Sequence, residues 1–151
     1  MAFKTDSGGI AFKSSDIKLT GGASTWGTRL SQLSKQSGVV RLITYSLPNL
    51  AYVEKQLGRR PNNIFVIAHE KFENQGRDIK VRFPDIRVAI APNIHSKVLL
   101  IEPNTVWISS ANFGDSGWHE TSIGVRSADA LDWYVKGIFD PLWNLCREIG
   151  P

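Results

Sequence analysis

A chain of 151 residues with 42% hydrophobic content, five Trp and seven Phe is long and apolar enough for one domain with a sizeable core, which excludes a disordered segment. Its single cysteine excludes an intrachain disulfide and fits a reducing compartment; no apolar h-region opens the sequence and no run approaches the ~18 apolar residues of a membrane span, so a soluble cytoplasmic protein with no membrane contact is expected. The formal net charge is +4, with a basic excess over the first two thirds and an acidic excess in the last third.

In chain order, STWGTRLSQLSKQSG spaces Trp26, Leu30 and Leu33 as a helical stripe, with Ser24 or Thr25 as N-cap and Gly38 as terminator. VVRLITY follows as a buried strand. Ser46 is the expected cap of a second helix that opens near Pro48, carries Leu50, Val53 and Leu57 on one stripe and stops at Gly58. IFVIA is another buried strand, and the polar HEKFENQGRDIKVRFPD reads as a long loop or short irregular elements. IRVAIA, HSKVLLIE, VWISSANF and TSIGVRS read as four more strands, the middle two joined by a tight turn at Pro103-Asn104. The tail from Ser127 is helical, with a break at Asp140-Pro141 that starts a new segment carrying Leu142, Trp143 and Leu145, and Cys146 in this amphipathic stretch reads as a core thiol. With no linker or repeat, residues 1–151 form a single α/β domain: a mixed β-sheet flanked by helices on both faces.

The chemistry concentrates in HSKVLLIEPNTVWISSANF, where His95, Lys97, Glu102, Ser110 and Asn112 stand at the spacing H-x-K-x4-E-x6-S-S-x-N. Imidazole, with an unperturbed pKa of ~6.5, can attack phosphorus or carry a proton near neutral pH. Lys, Ser and Asn supply hydrogen-bond donors to phosphate oxygens. Side chains alternate across a strand, so His95 and Lys97 share one face and Ser110 and Asn112 share a face of the next strand, two pairs able to converge on one anion. Tyr45 and His69 end two of the preceding strands, where α/β sheets face ligands, and are candidate substrate-binding residues. His69, His95 and His119 show no metal-ligand spacing, so neither metal nor cofactor is expected. The basic series Lys55, Arg59, Arg60, Arg77, Lys80, Arg82 and Arg87 is a candidate path for a polyanion or, equally, a solvated basic face; Arg59 and Arg60 are its candidate binding residues. Trp118 and Phe113, beside the motif, suit base stacking, though core or interface packing is the commoner use of such residues.

The pattern resembles the HKD motif of the phospholipase D superfamily, H-x-K-x4-D-x6-G-S-x-N, across residues 95–112. Glu102 replaces the usual Asp, which suits a structural role. Ser109 replaces the usual Gly. Ser122 stands where relatives often carry a Glu that orients the nucleophilic His, and Glu120, one pleat earlier on the same face, is the candidate for that role. The resemblance implies a phospholipase D-like fold and, because only one motif is present, a homodimer in which His95 of each protomer serves a shared site. It implies that one His95 attacks phosphorus to give a phosphohistidine while the other protonates the leaving oxygen, with Lys97, Ser110 and Asn112 holding phosphate oxygens. Small size and positive charge favour a metal-independent nuclease or phosphodiesterase acting on nucleic acid, DNA rather than RNA. Two alternatives stand beside it. A lipid phosphodiesterase of the same superfamily should show an exposed apolar lip or amphipathic insertion, and neither is legible. A catalytically idle nucleic-acid-binding module is the reading for which Ser109 and the displaced Glu120 speak.

Overall fold

The computed structural model describes residues 1–23, 26–31, 33–35 and 37–151. Three strands at its centre, β2 (Val40–Ile43), β3 (Ile64–His69) and β4 (Ile86–Ala91), are parallel. Their sequences are nearly continuous apolar runs, as strands buried on both faces require. The crossovers between them are α2 (Leu50–Leu57) and α3 (Glu73–Arg82). Outside this parallel core the strands pair antiparallel: β1 (Ile17–Gly22), β5 (Val98–Ile101), β6 (Thr105–Ser109), β7 (Glu120–Arg126) and β8 (Arg147–Ile149). One eight-stranded mixed sheet results, in the order β1-β7-β6-β5-β2-β3-β4-β8.

Each face of the sheet has its own apolar layer. On one, α1 (Trp26–Arg29), α2 and α3 bury Trp26, Val53, Leu57 and Ile79 against Leu42, Val66, Val88 and Leu99. On the other, α4 (Ala128–Tyr134) continues through a π-helical turn, Val135–Phe139, into α5 (Asp140–Leu145), packing Leu131 and Phe139 against Ile43, Ile67 and Leu100. Each such side chain contributes about 1.5–3 kcal/mol on burial, so the two layers hold the parallel strand ends in fixed positions. Among the described residues no helix is long and apolar enough to cross a membrane.

Several elements differ from the sequence expectation, for physical reasons. The first helix is two short turns, α1 and a 3-10 turn at Leu33–Lys35, although Trp26, Leu30 and Leu33 are buried as the stripe requires. Its expected caps, Ser24 and Thr25, lie outside the described residues. Asn49, not Ser46, caps α2, its side-chain oxygen accepting the Tyr52 N–H. The segment expected to be irregular contains α3: Gly76, which reads as a helix breaker, is where the helix meets β8, and a Cβ there would stand 2.7 Å from Ile149 Cδ1. The end of the tail is not helical but forms edge strand β8, held through Arg147–Glu73 at 2.7 Å and Arg87–Glu148 at 2.6 Å. Hydrogen bonds from Arg147 and then Arg77 pull the Glu73 carboxyl down to about 2.

β1 was not expected at all, and it leaves apolar side chains uncovered: Leu19, Ile123 and Ile108 stand side by side across β1, β7 and β6, 73%, 38% and 50% exposed. This exposed apolar row is invisible to periodicity because each strand contributes only one residue to it.

On the opposite face of the same strands, Trp107 lies over its cross-strand partner Gly124, where a Cβ would come within 2.7 Å of three indole carbons. Gly124→Ala should therefore lower stability by about 1–3 kcal/mol, the usual cost of overpacking a filled core site. Denaturant unfolding checks this; an unchanged midpoint would mean that the indole moves aside freely.

Candidate active site

The sheet brings the motif together at one end, by loops rather than by strands. β5 begins at Val98 and β6 ends at Ser109, so His95 and Lys97 lead into one strand while Ser110 and Asn112 follow the other. The expected sharing of strand faces is replaced by convergence at adjacent strand ends, with the Ser109 N–H donating to the Lys97 carbonyl at 3.0 Å.

Asn112 is the most constrained member. Its side-chain oxygen accepts from the backbone N–H of Tyr45 at 3.1 Å and of Ser46 at 3.4 Å, just past the end of β2. Its backbone carbonyl accepts from the Trp26 indole N–H at 2.8 Å, and the next amide, Phe113 N–H, donates to the buried Thr44 hydroxyl at 2.9 Å. With the carboxamide oxygen occupied, only the amide NH2 is left to donate to a ligand.

His95 is exposed, and its ring centroid lies 5.7 Å from that of Tyr45, which also meets His69 at 4.9 Å and Phe72 at 5.5 Å. Tyr45 thus joins both histidines. His69 Nδ1 accepts the Lys71 N–H, which fixes the proton of its neutral form on Nε2. The Lys97 ammonium donates to the His95 carbonyl at 2.6 Å and lies 3.2 Å from His95 Nδ1. Partial burial pushes its pKa below the ordinary lysine value, with the nearby Glu120 charge opposing the shift.

Ser110 and Glu120 form a pair. The Ser110 hydroxyl donates to Glu120 Oε2 and accepts the Thr121 N–H at 3.0 Å, so its proton is engaged within the protein rather than presented to an anion. Glu120 Oε1 accepts from Ser116 at 3.3 Å. The carboxylate reaches Ser110 and Ser116, and no hydrogen bond joins it to His95 among the described residues. The Ser109 and Ser122 substitutions are directly paired across β6 and β7, their hydroxyls 2.8 Å apart. Two departures from the motif are one hydrogen bond.

The remaining expectations divide. Glu102 accepts from Arg41 at 2.8 Å and from the Val39 N–H at 3.3 Å, stitching β5 to the start of β2. Arg60 does not face a ligand: its guanidinium donates to the carbonyls of Leu33 at 3.1 Å and Gly38 at 3.0 Å, and burial lowers its pKa. Arg59 is exposed. Arg77, Arg82 and Arg87 are taken up in ion pairs with Glu73, Glu54 and Glu148, so the expected continuous basic path is largely neutralised. Phe113 is buried, in edge contact with Trp26 and Tyr52, whereas Trp118 is 81% exposed. Sequence reasoning missed Arg29, buried beneath the site with its guanidinium 4.2 Å above the Trp26 ring; burial lowers its pKa to about 10 despite the opposing charges of Tyr52 and Glu120. A lone arginine in a short polar helix carries no sequence signal for such a place. Among the described residues no group of three or more His, Cys, Asp or Glu side chains is arranged to hold a metal ion.

The site opens into two hollows. One, of about 490 Å³, is lined by His95, Lys97, Ile108, Ser110 and Tyr134; the other, of about 720 Å³, by Asn49, Lys55, Asn112, Trp118 and Glu120. They meet at the Ser110–Glu120 hydrogen bond.

Against solved structures, the chain superposes on Nuc from Salmonella typhimurium, a phospholipase D family member, with a TM-score of 0.69 at 17% identity, covering 90% of this chain and 100% of that one. This protein has the phospholipase D fold. NucT from Helicobacter pylori matches the phospholipase D-like chain at a TM-score of 0.66 and 16% identity, covering 89% and 100% of the two chains. Phosphatidylserine synthase from Haemophilus influenzae matches at 0.69 and 11%, covering 88% of this chain and 39% of its own. No family model and no curated protein matches the sequence. The fold is thus shared by proteins with different names, and the substrate must be argued from the site.

The Asn112 geometry gives a direct test. Asn112→Asp keeps an oxygen for the Tyr45 and Ser46 N–H groups and should hold stability near wild type while losing the amide donor. Asn112→Ala leaves those N–H groups unpaired and should lose about 1–3 kcal/mol. Equal destabilisation of the two variants in chemical denaturation would contradict the acceptor role.

Proposed function

We propose that the protein is a nuclease that cleaves nucleic-acid phosphodiester bonds, DNA in preference to RNA, without a metal ion and through a phosphohistidine on His95 at a site completed by a second copy of the chain. The observation that carries this reading is the convergence of an exposed imidazole, an ammonium 3.2 Å from it and the free amide of Asn112 at one end of a phospholipase D-like sheet. The full-length correspondence with Nuc and NucT adds support for a nuclease over a lipid enzyme.

A ring nitrogen of His95 attacks phosphorus and forms a P–N bond as the P–O bond to the leaving group breaks; the protonated His95 of the second copy gives its proton to that oxygen. Water then attacks the phosphohistidine, the second imidazole takes its proton, the P–N bond breaks, and a phosphate monoester leaves. Lys97 and the Asn112 NH2 meet the charge that builds on the non-bridging oxygens. Glu120 holds Ser110 and offsets the Lys97 charge, a positioning part rather than a proton-transfer one.

Among the described residues no second acid of the right kind stands beside His95: the other imidazole packed on Tyr45, His69, has its Nδ1 committed to the Lys71 N–H. A second chain can supply it. The exposed row of Leu19, Ile123 and Ile108 supports the contact, since Ile108 also lines the hollow that holds His95. An apolar patch that continues into the site suits a twofold partner.

Two outcomes are expected. His95→Ala should reduce cleavage of DNA in EDTA by ~10³-fold or more and Lys97→Ala by ~10²-fold, with folding unchanged by circular dichroism. Full activity of His95→Ala, loss of wild-type activity in EDTA, or cleavage of phospholipid vesicles in place of DNA would each overturn the reading. Ile108→Glu should yield a folded, inactive monomer by sedimentation; an active monomer is incompatible with the shared site.

A further inference from the structure

The larger hollow, of about 720 Å³, lies between α2 and the segment leading to β7 and shares Asn112 and Glu120 with the reactive end of the sheet. Its volume is that of a ligand pocket, within the usual range of about 300–1,000 Å³. Its charged lining residues are Lys55, Asp115 and Glu120, one cation against two acids, so it is poorly suited to a run of phosphates. The occupant it fits is uncharged, flat and rich in hydrogen-bonding edges.

Trp118 decides the matter. Its side chain is 81% exposed at the wall of the hollow, in a protein that buries Trp26 and Trp107 almost completely, and no ring contact engages the indole among the described residues. Leaving so much aromatic surface in water forfeits burial energy that a stacked partner would recover. The backbone that carries the indole is tied to the site. The Ser116 hydroxyl accepts the backbone N–H of Trp118 at 3.2 Å and donates to Glu120 Oε1 at 3.3 Å, while the other oxygen of that carboxylate holds Ser110. A short chain of hydrogen bonds therefore links the Trp118 backbone through Ser116 and Glu120 to Ser110, which lines the hollow of His95. The polar edges agree. Asn49 spends its oxygen capping α2, leaving its NH2 as a donor, and Asp115 offers acceptors that pair with the exocyclic amines of bases.

We propose that this hollow receives one unstacked nucleobase next to the cleaved phosphate, with the Trp118 indole as its stacking platform and Lys55 on the adjoining phosphate. The assignment rests on the nuclease reading above and narrows it, because a base inside a duplex must first be unpaired and unstacked at a cost of a few kcal/mol. Single-stranded substrate is accordingly preferred.

The experiment compares wild type, Trp118→Ala and Trp118→Phe on three fluorescent substrates: a single strand, the same sequence as a duplex, and a single strand whose central residues are abasic. Stacking of one base is worth about 1–3 kcal/mol, so Trp118→Ala should raise KM on the normal strand by roughly 5- to 150-fold with kcat nearly unchanged. Trp118→Phe should recover most of the loss, the abasic strand should be handled alike by all three proteins, and the duplex should be the poorer substrate for wild type. An unchanged KM for Trp118→Ala, or an equal loss on the abasic strand, would overturn the base pocket while leaving the nuclease reading intact. Binding measured by anisotropy in the His95→Ala background separates the two further. If wild type cleaves nothing, a Trp118-dependent preference for the base-bearing over the abasic strand still supports the pocket, and equal affinity for both strands rejects it.

Discussion

One side chain joins the parts on which the site depends. Asn112 accepts the N–H groups that follow β2 through its carboxamide and the Trp26 indole N–H through its carbonyl, so the central strand, the first helical turn and the loop after β6 meet on a single residue. Thr44, wholly buried, closes the same knot by accepting the Phe113 N–H. Buried polar groups are costly unless paired, and here each pairing also fixes a direction: the Asn112 oxygen faces the backbone after β2, which leaves its NH2 as the group able to donate. The donor proposed to meet phosphate is thus oriented by the same bonds that hold the fold together.

A second layer of order comes from Glu120. Its carboxylate lies near Lys97 and Arg29 and holds Ser110 and Ser116, so it ties the reactive hollow to the segment bearing Trp118. In the motif that this sequence resembles, the corresponding carboxylate stands at Ser122. Here Ser122 bonds to Ser109 instead, their hydroxyls 2.8 Å apart. The two sequence departures are thus partners in one cross-strand contact.

The motif spacing and the apolar runs made the sheet, its mixed character and its two helical layers legible, because strand burial and helix stripes are local patterns. α3 was not, since its Gly76 serves packing against Ile149 rather than a turn, and neither were the edge strands β1 and β8, whose pairing is decided by distant partners. The same limit applied to charge. Composition counts Arg77, Arg82 and Arg87 as basic surface, while the fold sets each beside a glutamate. Arg60 reads as a ligand residue in the sequence and is a half-buried brace between α2 and the carbonyls of Leu33 and Gly38. Tyr45 and His69 were placed by the rule that strand ends face ligands, and they do lie at the site's end of the sheet, in contact with each other.

The central claim is that His95 carries the phosphoryl group while its copy in a second chain moves the proton. The direct measurement is the stoichiometry of the covalent intermediate: rapid quench of active protein at alkaline pH with a labelled strand, followed by counting label per chain and mapping the modified residue by mass spectrometry. The account predicts a phosphoramidate on His95 at no more than one per two chains, because each shared site holds a single intermediate and needs the other imidazole free. One adduct per chain, or an adduct on any other residue, would contradict it.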